Sequence, residues 1–443
     1  MNYYLLYLLV ILAYLPGLVM LIWSKKVWKF PILAFAFVGM FIFNALGSIS
    51  VFYEEKIYTI EFDAYAVSEE LTLLLITQAI LYYVVVTPYL MLRDAPLRNF
   101  KNSLYDEVAI SVGLGAILII SALYYKQTGT FLLLSSLDGS MNIDNAYQFR
   151  DKLVYGLSHW PFYSLGFVFL PLFVSSYAFI RAKANGSADF LFYLAILICF
   201  SASLSLGSKG GLINFVLSFA ISYGVYLGAT GVSPFKLAKN RNFLIFVLFA
   251  LILLVVGYLY ATPDQLTPGA LVKRLWYRAF VTYPETIAAA ISYTREVDFL
   301  GIRIFPTVRG LLSHENANLT MLLHEYIARA PGGVNVAFIG EAFISNGWLG
   351  VVLACPAIFL ILILLQEIAF RLTLGLASLA FSSLYAYMAI LLSANGMFAT
   401  LFTFMYPMAL LILAGVTVLV YKIFLKINPE LKYSSEAKVN TKS

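Results

Sequence analysis

Residues 334–365 read VNVAFIGEAFISNGWLGVVLACPAIFLILILL, a run of 32 residues in which Glu341 alone is charged. As one straight helix the run would reach about 48 Å at 1.5 Å per residue, whereas the hydrocarbon layer of a bilayer is about 30 Å thick. It is therefore too long for a single untilted span, and Asn346-Gly347, a turn dipeptide, marks where it breaks. The expectation is that the chain first enters the membrane interface and then crosses. Glu341 would then lie at headgroup depth on the outer side, where a carboxylate is costly unless it has a partner or a task.

The rest of the chain agrees with a membrane setting. Of its 443 residues 61% are hydrophobic and 12% charged, with a mean hydropathy of +0.86, which excludes a soluble domain built on one large core. Stretches of about 20 apolar residues fall at 3–23, 31–52, 70–91, 104–125, 161–180, 189–206, 210–230, 243–261, 347–365, 376–396 and 399–421. The expected fold is an all-α polytopic membrane protein with about eleven transmembrane helices. It forms one membrane-embedded domain over 1–443, with a polar, flexible tail at 429–443.

Lys and Arg set the orientation. They cluster after every odd-numbered span, as Lys25, Lys26 and Lys29, then Arg93, Arg98 and Lys101, then Arg181 and Lys183, then Lys236, Lys239 and Arg241, then Arg371, then Lys422, Lys426 and Lys432. The alternating connectors are acidic or neutral, so the basic side is cytoplasmic and the segment 262–335 faces outward. That segment lies between spans 8 and 9 and carries seven basic residues and two of the three histidines. Long polar segments on rigid scaffolds are where binding and catalytic groups concentrate.

Three helices are expected within or beside it. Residues 272–282 form a basic amphipathic stretch with Arg274 and Arg278 at i, i+4, suited to the lipid surface. Thr282-Tyr-Pro-Glu285 has the form of a capping box that starts a helix through Ser292, and 316–329 reads as a third helix ended by Pro331-Gly332-Gly333. Glu325 and Arg329 either pair as i, i+4 neighbours on a solvated face or serve a ligand. Glu341 either braces the segment against an Arg or does chemistry.

Several functions are excluded or disfavoured. The excess positive charge sits in the basic-side connectors and reports topology, so nucleic acid is not an expected partner. The first span has no preceding base and no cleavage signature, and reads as a retained anchor. Cys199 and Cys355 lie in spans and read as small apolar residues. His159, beside Trp160, reads as an interfacial structural residue. The outer turn Gly207-Ser-Lys-Gly-Gly211 offers backbone N–H groups and the Lys209 charge but lacks Walker spacing. Neither Asp-x-Asp nor His-x-x-x-His spacing appears outside, so no metal and no cofactor are expected. The two halves show no matching interrupted helices, and few ionisable groups sit deep in spans, which disfavours an ion-coupled carrier.

Taken together, Arg274-Leu-Trp-Tyr-Arg278 with Tyr283, the outer turn at Gly207–Gly211, and Gly340-Glu-Ala-Phe-Ile-Ser-Asn-Gly-Trp-Leu-Gly350 resemble the Wzy-type oligosaccharide repeat unit polymerases of O-antigen and capsule synthesis. Arg329 and Gly340 match a spacing described in that family, an Arg followed eleven positions later by Gly. The resemblance implies a glycosyltransferase at the periplasmic face of the bacterial inner membrane, moving a growing glycan from undecaprenyl diphosphate onto an incoming lipid-linked repeat unit. Its partners would be those lipid-linked glycans, the bilayer and a chain-length-regulating membrane protein. Departing diphosphate needs cations, assigned to Lys209, Arg274, Arg278 and Arg329. The acceptor hydroxyl needs a base, assigned to Glu341 or His324. Sugar contacts fall to Tyr283, His314 and Asn335. The alternatives are an O-antigen ligase, with the same donor, and a lipid-linked oligosaccharide flippase, which would require a charged central cavity.

Overall fold

In the computed structural model the described residues are 3–52, 67–96, 103–128, 165–205, 209–232, 269, 282–301, 319–328, 336–371, 375–394, 396 and 405–428. Every regular element among them is helical. In chain order these are α1 Tyr3–Trp23, α2 Pro31–Leu46, α3 Ser68–Leu92, α4 Leu104–Thr128, α5 Leu165–Asn185, α6 Phe190–Leu204, α7 Lys209–Ala229, α8 Thr282–Glu296, α9 Leu319–Ala328, α10 Phe338–Arg371, α11 Leu376–Leu391 and α12 Met405–Ile427.

Among the described residues six helices are long and apolar enough to cross a membrane: α1, α3, α5, α10, the Leu104–Lys126 part of α4 and the Ala409–Ile427 part of α12. Four more are apolar but shorter, namely α2, α6, α11 and the Asn214–Ala229 part of α7. A helix satisfies all its interior backbone polar groups without water, which is why apolar sequence of this length takes that form. The expected span at 243–261, all but Thr282 of the amphipathic stretch at 272–282, and the tail at 429–443 lie outside the described residues.

Two of the expected spans end early. The expected span 31–52 passes from α-helix into a π turn over Met40–Leu46, and Ile49–Phe52 forms a separate turn of helix. The expected span 376–396 stops at Leu391, and residues 392–394 are turns. The expected break at Asn346-Gly347 is present: inside α10, Asn346 has φ −147°, ψ 31° and Gly347 has φ 58°, ψ −140°. Only glycine adopts the second pair of angles without strain. Residues 338–345 are thus a short helix of their own, joined at an angle to the long span that follows.

The core is organised around α11, which is buried along almost its whole length and packs against α2, α5, α7 and α10. Gly39 lets α2 come close enough for a Cβ there to strike the Ile390 backbone, the small-residue contact that membrane helices favour. On α10, Leu349, Leu353, Leu360 and Leu364 share one exposed face, while Val351, Cys355, Ile358 and Leu362 turn inward. Polar groups inside are tied across helices. The Tyr14 hydroxyl and the Asn44 amide donate to the Gln78 side-chain oxygen, both at 2.9 Å. The Gln366 oxygen accepts from the Ile32 N–H at 3.0 Å, satisfying one of the N–H groups that the first turn of α2 leaves without a partner.

Those of the basic residues marking one side of the membrane in the sequence whose contacts are described, Lys26, Arg93, Arg181 and Lys183, lie at one end of the bundle. Lys26 meets Asp94 at 3.2 Å. Arg93 binds both oxygens of Glu367, which also accepts from Tyr89. Arg181 is buried and contacts Glu107 at 2.6 Å and Asp189 at 2.7 Å. Contacts of Gly228 with Trp28, of Tyr226 with the Lys183 carbonyl and of Tyr105 with Tyr421 join these groups into one layer. The start of α3 and the start of α10 lie at the other end.

Candidate functional site

At that other end, four pieces of chain converge: α8, α9, the short helix 338–345 and the turn after α11. The sequence explains each placement. Thr282-Tyr-Pro-Glu285 does start α8 at Thr282, and the helix runs to Glu296, four residues past the expected end at Ser292. The extra turn is held from outside. Arg295 pairs with Glu70 at the start of α3 at 3.2 Å. The Tyr326 hydroxyl of α9 donates to Glu296 at 2.6 Å and lies 3.0 Å from Ser292 Oγ. Burial, and then this bond to a carboxylate, push the Tyr326 hydroxyl above its ordinary pKa, so it stays a donor. α9 itself is shorter than expected, Leu319–Ala328.

The short helix 338–345 is pinned on three sides. The Phe338 N–H donates to the Leu392 carbonyl at 3.1 Å, and the Leu300 N–H to the Ile344 carbonyl at 3.0 Å. On the third side Gly340 faces α8, with Ile287 Cα 3.5 Å from where its Cβ would be. At the break, Phe299 covers Gly347, and Phe343 and Trp348 meet edge to face at 5.8 Å between ring centroids. A Cβ on Gly350 would strike the Ala342 carbonyl. Gly347 and Gly350 therefore each have a steric reason of their own, while a Cβ at Gly340 would press on the Val336 side chain at 2.9 Å.

Glu341 lies in the first turn of α10, where the helix dipole favours an anion. It is half-buried while its neighbours from Phe338 to Ser345 are buried. Its carboxylate occupies the space where Gly396 would carry a side chain: the three atoms nearest to a Cβ at Gly396 are Oε1, Cδ and Oε2 of Glu341. Two segments more than fifty residues apart are thus fitted to each other around one carboxylate.

Of the other expected site residues, His324 is half-buried on α9, beside the buried Leu323. Tyr283 packs its ring edge to face on Phe43 of α2, centroids 5.0 Å apart, so an aromatic contact within the protein uses at least part of it. Lys209 begins α7. Arg274, Arg278, His314, Arg329 and Asn335 lie outside the described residues, as does one partner of the expected Glu325–Arg329 pair; Glu325 is exposed. Among the described residues no group of three or more His, Cys, Asp or Glu could hold a metal ion.

Two residues here were not singled out as functional by the sequence. Glu285, read only as a helix cap, is 3% exposed on α8. Gly396 fell within an expected span; its Asn395-Gly396 dipeptide is the same turn signal that located the break in α10. The arrangement offers a carboxylate at a fixed position, on a short helix that precedes the long span. No family model, curated protein or solved structure matches this chain.

Proposed function

We propose that the protein is a polysaccharide polymerase of the Wzy type, joining undecaprenyl-diphosphate-linked repeat units at the periplasmic face of a bacterial inner membrane. In this reading the chain crosses the membrane eleven times, 243–261 included, and the end carrying α8, α9 and Glu341 faces outward. One observation carries the reading: Glu341, the one carboxylate of the Gly-Glu…Gly-x-x-Gly stretch, is held in a short broken helix between α8 and the turn after α11.

The chemistry follows from that placement. A sugar hydroxyl of the incoming unit attacks the anomeric carbon of the growing chain, and the bond from that carbon to the diphosphate breaks. The hydroxyl proton passes to the Glu341 carboxylate. The bonding electrons leave with the lipid diphosphate, whose charge falls to Lys209, Arg274, Arg278 and Arg329. The diphosphate lipid is itself the leaving group, so no nucleotide is needed.

The test uses purified protein in liposomes with a lipid-diphosphate-linked repeat unit as the only substrate. A ladder of products spaced by one unit is the expected result. Transfer solely to an added core lipid would replace this reading with the ligase, and movement across the bilayer without new glycosidic bonds would replace it with the flippase. Sidedness is tested separately: a reporter active only outside should work at Asn142 or Thr307 and fail at Lys239 or Ser443.

A further inference from the structure

We infer that Gly396 is a positioning residue whose missing side chain forms the seat of the Glu341 carboxylate, and that its role is to aim this group and not to pack the fold. The catalytic part of this inference rests on the polymerase reading; the seat itself does not.

The argument is steric. All three atoms nearest to a Cβ at Gly396 belong to the Glu341 carboxyl group. On the Glu341 side the short helix is tied to the turn after α11, because the Phe338 N–H is bonded to the Leu392 carbonyl. A methyl group at position 396 therefore meets first the far end of a flexible side chain. That end can swing aside. The expected consequence is a folded protein with a displaced carboxylate, a combination that a residue needed only for packing would not produce.

Shortening the acid tests the fit from the other side. Aspartate withdraws the carboxyl group by about one C–C bond, roughly 1.5 Å, and so gives back the room that a methyl at 396 takes. Gly396→Ala alone should lower polymer formation about 10- to 100-fold through turnover, leaving KM for the lipid-linked unit within about threefold. In the Glu341→Asp background the same change should cost less than about threefold, because the two sites are coupled and not independent. Losses that multiply, or a fully active Gly396→Ala enzyme, would overturn the seat.

A readout free of the polymerase reading is the labelling of Glu341 by a hydrophobic carbodiimide, which takes the protonated acid, followed by mass spectrometry across pH. Gly396→Ala should shift the pH midpoint of labelling by at least half a unit while the melting temperature holds. An unshifted midpoint in a folded protein overturns the seat. A shifted midpoint in a protein whose wild type makes no polymer upholds the seat and sinks the polymerase reading. Should Gly396→Ala melt early, Gly396→Ala with Glu341→Ala should return to the melting temperature of Glu341→Ala alone, since the methyl then fills vacated space. Failure to return would overturn the proposal.

Discussion

The acids at the basic end of this bundle and Glu341 at the other end are held in opposite ways. At the basic end, Glu107, Asp189 and Glu367 each meet a guanidinium at 2.6 to 2.7 Å, and Arg181, the buried member of that layer, is satisfied by acids from two other stretches of chain. At the site end, the Glu341 carboxylate lies against the backbone of Gly396, on a helix only eight residues long before its break. The first arrangement fixes helices relative to one another. The second fixes one functional group relative to its surroundings, and spends three glycines and a special backbone conformation on it.

If this contrast is right, changes at the basic end should move stability and leave the activity of each folded molecule intact. The largest such effect is expected at Arg181. Replacing it with Met removes two charge-assisted bonds from a side chain that is 4% exposed, and should cost about 3 kcal/mol, read as a lower midpoint in denaturation of the detergent-solubilised protein. Activity per folded molecule should stay within about twofold; a large drop there would break the comparison.

Gly347→Ala comes next and tests the other end. Its φ of 58° with ψ −140° and the covering Phe299 ring make a side chain costly, by about 2 kcal/mol. Here activity should fall further than the folded fraction does, because the angle of the short helix changes.

A smaller effect is expected at Asp189. Burial raises its carboxyl pKa, but the Phe192 N–H and Arg181 outweigh this and hold it below its ordinary value. The stability it contributes is then complete above about pH 4 and is lost as the pH falls through and below that point. Asp189→Asn should cost about 1 kcal/mol at neutral pH and flatten the fall of melting temperature as the pH drops below about 4. The smallest effect is expected at Arg93, whose pair with Glu367 is 45% exposed on the Arg side. Arg93→Ala should shift the denaturation midpoint only slightly. A larger shift would mean that this end carries more than bracing.

Much of this contrast was legible in the sequence, and where it was not the reason is physical. The break in α10 could be read because it rests on local facts: a run too long for the bilayer, and Asn346-Gly347 within it. The start of α8 could be read for the same kind of reason, since Thr282 and Pro284 act within one turn. Its end could not, because Arg295 and Glu296 are held by Glu70 and Tyr326, each at least thirty positions away. The side of the bundle to which Arg181 belongs was legible from charge alone, but its pairing with Glu107, 74 residues earlier, was not. Gly396 was hidden by averaging. Hydropathy over 20 residues absorbed it into a span, and the meaning of its missing side chain comes only from Glu341, which packing brings to it.

The measurement that bears most directly on the central claim is the pair of activity and stability for Glu341→Gln. Glutamine keeps the size and the hydrogen-bonding reach of the side chain and removes its basicity. The account predicts that the purified variant loses polymerisation by more than about 100-fold, within the range that a positioned base supplies, while its melting temperature and its binding of the lipid-linked donor stay close to wild type. A stable and fully active Glu341→Gln protein would contradict it and move the search for the base to His324. A loss of about 1 to 3 kcal/mol in stability, with activity falling only in step with the folded fraction, would contradict it too and make Glu341 a brace like the acids at the other end.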